Sequence, residues 1–244
     1  MKITVINGTE KQGVTYRMKE LFLQAFTGKA DITEYYLPKD CPNFCCGCTN
    51  CFLRGENACK DAGQIKIIEK SLLEADLLVM TSPAYVFHAT GAMKVFLDHF
   101  AYRWMPHRPA PEMFTKRAVI LTQCAGAGAK SAARDIKHSL SWWGVPQIDV
   151  FTSALMSDIV WDKLPQKKQA ELTRKLEKLS RKFAHIDYHK PAKTNLIIKI
   201  KFSFCRAMQK SLHKTNPQYP DGKYWAQQGW LDGVRPWNSN RKKK

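Results

Sequence analysis

No apolar run in this chain approaches the roughly 20 residues that a membrane-spanning helix needs, which sets aside an integral membrane protein. The dinucleotide fingerprint G-x-G-x-x-G is missing, and there are no internal repeats. Glycine and proline are modest, 13 and 12 in 244 residues, while 44% of positions are hydrophobic; a collagenous, low-complexity or disordered chain is excluded. Acidic residues are scarce at one end only. Residues 161–244 hold 6 Asp and Glu against 21 Lys and Arg, or +15, whereas residues 1–160 hold 15 against 18, or +3. The first two thirds is an ordinary near-neutral globular sequence, and the basic excess belongs to a last third ending Arg241-Lys242-Lys243-Lys244. The opening MKITVING reads as a first β-strand rather than a signal peptide, so a cytoplasmic location is expected.

Short continuous apolar runs at Ile3–Ile6, Leu77–Met80 and Ala118–Leu121 have the form of parallel strands covered on both faces. Ile32–Leu37 and Ile148–Phe151 are weaker versions of the same pattern. Helical stretches near 14–27, 64–74, 90–102 and 130–143 fall between them. Alternation of this kind predicts a doubly wound α/β fold, a five-stranded parallel sheet in the flavodoxin-like order 2-1-3-4-5. Over 164–186, Leu172, Leu176, Leu179, Phe183 and Ile186 recur at helical spacing, as the closing helix should. His189-Lys190-Pro191 then breaks the pattern, and 195–212 forms a second basic amphipathic stretch. The remainder carries Tyr224, Trp225, Trp230 and Trp237, too aromatic for a disordered tail. The expected division is a domain over 1–188, with a cysteine-rich loop at 41–60, and a basic helical or irregular extension over 189–244 that docks on the domain or on a second subunit.

In such sheets, ligands bind beyond the carboxyl ends of the strands where strand order reverses. Three loops should meet there. The first, Asn7 to Tyr16, offers the hydroxyls of Thr9 and Thr15, the Lys11 cation, Gly13, and N–H groups at a helix start. That is a cradle for a single phosphate. The second, Thr81 to Gly91, fixes its backbone with small residues and Pro83, and places Tyr85 and Phe87 to flank a planar ring. The third, Thr122 to Ser131, lets a ligand lie close to the backbone. It is not a P-loop, because Cys124 and Ala129 stand where that motif needs glycine.

Six of the eight cysteines (Cys41, Cys45, Cys46, Cys48, Cys51, Cys59) lie within 19 residues. The spacing Cys45-x2-Cys48-x2-Cys51-x7-Cys59 suits one loop wrapping an iron–sulfur cube, with Cys41 and Cys46 spare. A cluster-free loop whose thiols pack as small hydrophobes stays open beside it, and structural zinc, which favours two separated knuckles, fits less well.

The runs NGTEKQGVT, CCGCTNCFLRGENAC and SPAYVFHATGAMKVFLDHFAYRW together resemble the NADPH-dependent FMN reductase family, and within it the iron–sulfur flavoproteins. The likeness covers about residues 1–155. It implies noncovalent FMN, with Thr9, Lys11, Gly13, Val14 and Thr15 at the phosphate. Ser82, Pro83, Ala84, Tyr85, Val86 and Phe87 would line the isoalloxazine, and Cys124, Ala125, Gly126, Ala127 and Gly128 would close the pocket. A homodimer or tetramer is implied too. One departure stands out: Glu10 and Lys11 occupy positions where the family commonly has Pro and Arg, so Glu10 must point away from the phosphate.

The expected activity passes hydride from NAD(P)H, or electrons from a ferredoxin, through the flavin to a small acceptor such as a quinone or nitro compound, with [4Fe-4S] as a candidate relay on Cys45, Cys48, Cys51 and Cys59. The cofactor carries the hard step, so no catalytic side chain is assigned; His88, His107 and Arg108 are candidates to gate the substrate or bind a nicotinamide phosphate, with solvated surface residues the leading account of each. The alternative is a basic adaptor for nucleic acid or a membrane surface built on the same fold. It lacks a recognisable nucleic-acid module, and the face Ile197, Ile200, Phe204, Met208 is expected to pack on the domain. Neither a specific nucleic acid nor a membrane is therefore an expected partner.

Overall fold

The three apolar runs form the centre of one parallel sheet in the computed structural model, which describes residues 1–156 and 159–239; Arg241 to Lys244 lie outside the described residues. The strands are β1 (Lys2–Asn7), β2 (Asp31–Tyr36), β3 (Leu77–Pro83), β4 (Arg117–Cys124) and β5 (Gln147–Ala154), in the order β2-β1-β3-β4-β5. Central β3 and β4 are buried at every position, while the outer β2 and β5 are half-buried. That is why the two edge strands carried the weaker sequence pattern.

The helices are α1 (Val14–Leu23), α2 (Asn50–Leu53), α3 (Ala62–Glu74), α4 (Gly91–His99), α5 (Ala129–Trp142), α6 (Gln166–Ala184), α7 (Leu196–Thr215), α8 (Pro220–Gln227) and α9 (Pro236–Ser239). Because successive strand residues face opposite ways, Leu77 and Val79 pack against α1 and α6 through Met18, Phe22, Leu172, Leu176 and Phe183. Leu78 and Met80 pack on the other side against α3, α4 and α5, through Ile68, Leu72, Phe96, Ile136 and Leu140. Each such fully buried side chain contributes about 1.5–3 kcal/mol. Two predicted helices stop early: α1 gives way to a 3-10 turn at Gln24–Phe26, and α4 to one at Ala101–Arg103. Among the described residues no helix is long and apolar enough to cross a membrane.

A third core holds the C-terminal region to the body. Phe202 of α7, Trp225 of α8 and Trp230 close over Phe114 and Met105. Three side chains then bind backbone carbonyls of one short segment: Gln209 Nε2 donates to Pro106 (2.6 Å), Trp225 Nε1 to His107 (2.6 Å) and Tyr224 Oη to Pro109 (2.7 Å). The α7 helix forms as predicted, but with a different face inward. Ile198, Phe202, Cys205 and Gln209 are buried, whereas Ile197, Ile200 and Phe204, expected to pack on the domain, are 64%, 60% and 67% exposed. The helix carries two apolar stripes, and the aromatic floor takes the one that contains Phe202.

Candidate functional site

The loops after β1, β3 and β4 converge on a cavity of about 220 Å³ at the carboxyl end of the sheet. From the first loop it is lined by Thr9, Lys11, Gly13, Val14 and Thr15. Thr9 Oγ1 accepts from the Lys11 N–H (3.1 Å), and Gly8 N donates to Thr81 O (2.7 Å), tying this loop to β3. Gly8 is needed there, since an added Cβ would meet Thr81 O at 2.8 Å. The first N–H groups of α1 lack intrahelical partners, and Val14 N donates across to Ile159 O (3.3 Å). Glu10 is exposed and does not line the cavity.

The second loop contributes Pro83, Ala84 and Tyr85 to the lining. Ser82 is fully buried behind them; its hydroxyl donates to Pro83 O (2.8 Å) and accepts from Thr90 N (3.1 Å). Tyr85 and His88 exchange backbone hydrogen bonds of 2.9 and 3.0 Å around Val86 and Phe87, whose φ values of 48° and 67° are left-handed. Side chains of Val86 and Phe87 stand in solvent, on a lip rather than inside the cavity. A left-handed valine is strained, and such turns normally carry Asn and Gly.

Cys124 and Ala125 of the third loop also line the cavity, while Gly126 and Ala127 are exposed beyond it. Gly128, at φ +105°, lies against the lip turn: a Cβ there would sit 2.8 Å from Phe87 Cα. Two lining residues escaped the sequence reading. Gln123 is a buried polar residue that follows Thr122 near the carboxyl end of β4, after the apolar run Ala118–Leu121, a signal that was legible. Ile159 arrives from the segment after β5, and nothing in its local sequence marks it.

This chemistry fits an anionic ligand that also has a donor edge. Thr15 Oγ1 and Gln123 Oε1 are both buried and without a hydrogen-bond partner. A buried orphan of this kind costs about 1–3 kcal/mol until something answers it. Lys11 and the amino end of α1 supply positive potential, and no carboxylate is among the described residues that line the cavity. Behind the rim, Asn7 Nδ2 donates to Glu34 (2.9 Å), which pairs with the fully buried Lys19 at 2.8 Å. Burial works to raise the Glu34 carboxyl, but the bonds from Lys19, Asn7 and Tyr36 prevail and hold it below its usual range.

A second cavity, of about 320 Å³, is lined by Cys45, Cys48, Cys51 and Cys59 together. Cys46 is exposed, and Cys41 is buried outside the lining. Burial, then the neighbouring Cys59 and Cys45 thiols, push the Cys51 thiol up, against a pull from Arg108. Thiols that repel one another's ionisation form a site that a cationic metal group relieves. Cys59, Asp61 and His99 place ligand atoms within 4.8 Å of one another, the tight triple found among the described residues. Neither Asp61 nor His99 was singled out in the sequence.

Arg108 is no solvated residue. It is 4% exposed and holds the cysteine loop by donating to Cys51 O and to Glu56 Oε2 (3.2 Å), while pairing with buried Asp221 of α8. His107 completes the clamp, with Nδ1 2.8 Å from Asp221 and its ring stacked on Phe52 at 4.3 Å. His88 is exposed and lies 3.0 Å from Asp135.

The profile of the NADPH-dependent FMN reductase family matches residues 1–158. An iron–sulfur flavoprotein of Archaeoglobus fulgidus is 23% identical over 145 residues, which is 59% of this chain and 63% of that protein. An FMN-dependent NADH:quinone oxidoreductase of Pseudomonas putida is 32% identical over 87 residues, 32% of this chain and 44% of that protein. The chain thus spans less than two thirds of the length of these curated relatives, 63% and 44%. Among solved structures, an FMN-dependent NADH-azoreductase from Bacillus anthracis shares the fold with a TM-score of 0.58 at 12% identity, covering 76% of this chain and 100% of that one. With the profile spanning well over half of its residues, the chain belongs to the NADPH-dependent FMN reductase family.

Proposed function

We propose that the rim cavity binds FMN and that the protein moves reducing equivalents from NAD(P)H to a small acceptor of the quinone or nitro class. The observation that carries this reading is the pair of unanswered groups, Thr15 Oγ1 and Gln123 Oε1, buried in one cavity beneath three loops. Thr15 donates its hydroxyl to the phosphate, Lys11 balances its charge, and Thr9, Gly13 and Val14 shape the turn around it. Pro83, Ala84, Tyr85, Cys124 and Ala125 receive the ring, and Gln123 accepts from a ring N–H. Bound FMN supplies the hydride chemistry. The exposed lip at Tyr85, Val86 and Phe87 is covered by a second copy of the chain, which excludes water from the ring.

The same reading places [4Fe-4S] on Cys45, Cys48, Cys51 and Cys59. Their shared cavity and the name of the Archaeoglobus relative support it. A ferredoxin is the alternate electron donor.

The visible spectrum of the purified protein tests the flavin: a flavin spectrum, or uptake of added FMN, is expected, and a colourless protein that takes up none sinks the proposal. Thr15→Val should weaken FMN binding about 10- to 100-fold, the worth of a hydrogen bond to a charged group, without loss of thermal stability. Iron and acid-labile sulfide measured on protein prepared without oxygen test the cluster separately.

A further inference from the structure

We propose that α7 is a membrane-surface helix that seats its outer apolar stripe on an anionic lipid bilayer. Leu196, Ile197, Ile200 and Phe204 recur at helical spacing on the side of α7 away from the aromatic core, and are 60–70% exposed. Four large apolar side chains in one exposed row on a helix already anchored by its other face mark an interaction surface. The charge around them selects the occupant. Over its 20 residues α7 has no Asp or Glu and carries Lys199, Lys201, Arg206, Lys210 and Lys214. Lys199, Lys210 and Lys214 are exposed along one border of the stripe. An isologous contact between two copies would set these cations against their own equivalents, with no acid on the helix to answer them. A bilayer containing anionic lipid takes the stripe among its acyl chains and meets the cations with phosphates.

The placement is compatible with the rim. Just before α7, Ala192 N donates to Thr115 O (2.9 Å) and Asn195 Nδ2 to Pro146 O (2.5 Å), at the amino ends of β4 and β5. The amino end of the helix therefore docks at the end of the sheet opposite the three loops. A protein lying on a bilayer through α7 keeps its candidate cofactor site open.

Flotation of the full chain with phosphatidylcholine vesicles, with and without phosphatidylglycerol, tests the proposal. The protein should float with the mixed vesicles and not with phosphatidylcholine alone, and salt should release it. The double variant Ile200→Ser with Phe204→Ser should reduce binding about tenfold or more, and Lys199→Glu with Lys210→Glu should do likewise. Circular dichroism and thermal midpoints should stay unchanged, because the altered side chains are exposed. Light scattering on the same samples reports self-association. The proposal is overturned by absence of flotation with either vesicle, by binding that survives the apolar double variant, or by an oligomer that this variant dissociates.

Discussion

The rim cavity is framed by backbone and small side chains, whereas the cysteine cavity is framed by long charged side chains arriving from distant parts of the chain. At the rim, Gly8, Ala84, Ala125 and Gly128 let three loops approach, and hydrogen bonds between neighbouring strands set the spacing. At the cysteine loop, Arg108 reaches Cys51 and Glu56, Arg103 pairs with Glu69, and Asp221 arrives from 113 residues away. The first site inherits its rigidity from the sheet. The second has none to inherit, because its loop contains only one short helix and a 3-10 turn, so buried ion pairs hold it in shape.

The largest expected effect separates the two. Asp221→Ala removes one of the two carboxylates that pair with the buried Arg108 guanidinium, leaving Glu56, and should cost about 3 kcal/mol in urea denaturation, the low end for breaking a buried pair. It should also expose Cys51 to thiol reagents while leaving FMN affinity at the rim within about twofold; equal loss at both sites would break the distinction. Gly128→Val should cost roughly 2 kcal/mol or more, since a β-branched residue at φ +105° is strained and its Cβ meets Phe87 Cα. That change should weaken FMN binding and leave thiol reactivity alone. The smallest effect is Val86→Gly, which removes a left-handed valine and should raise stability by about 0.5 kcal/mol. An unchanged or lower urea midpoint would show that the lip stores no strain.

How much was legible follows the same division. Each rim loop is a run of consecutive residues that must emerge at one end of a strand, so reading the strands located Thr15, Tyr85 and Ala125 together. The side chains of Val86 and Phe87 were not placed correctly, because their backbone turns over in a left-handed pair that the residue types do not announce. Ile159 enters the cavity from a chain segment with no motif. The four cysteines could be named from their spacing, but the clamp could not: nothing near Arg108 points to Asp221. On α7 the row through Ile197 was expected to face inward, but the row one residue out of phase, through Ile198, does so. The aromatic floor beneath the helix decides between them, and that floor is a tertiary product.

The attachment of the C-terminal region through the carbonyls of Pro106, His107 and Pro109 has a consequence for variation in this protein. Every amino acid presents the same carbonyl, so the acceptors survive almost any replacement that preserves the path of the chain. Residues 106 and 109 can therefore drift freely as far as docking is concerned, and selection for a joined molecule falls on the donors: Gln209, Tyr224 and Trp225.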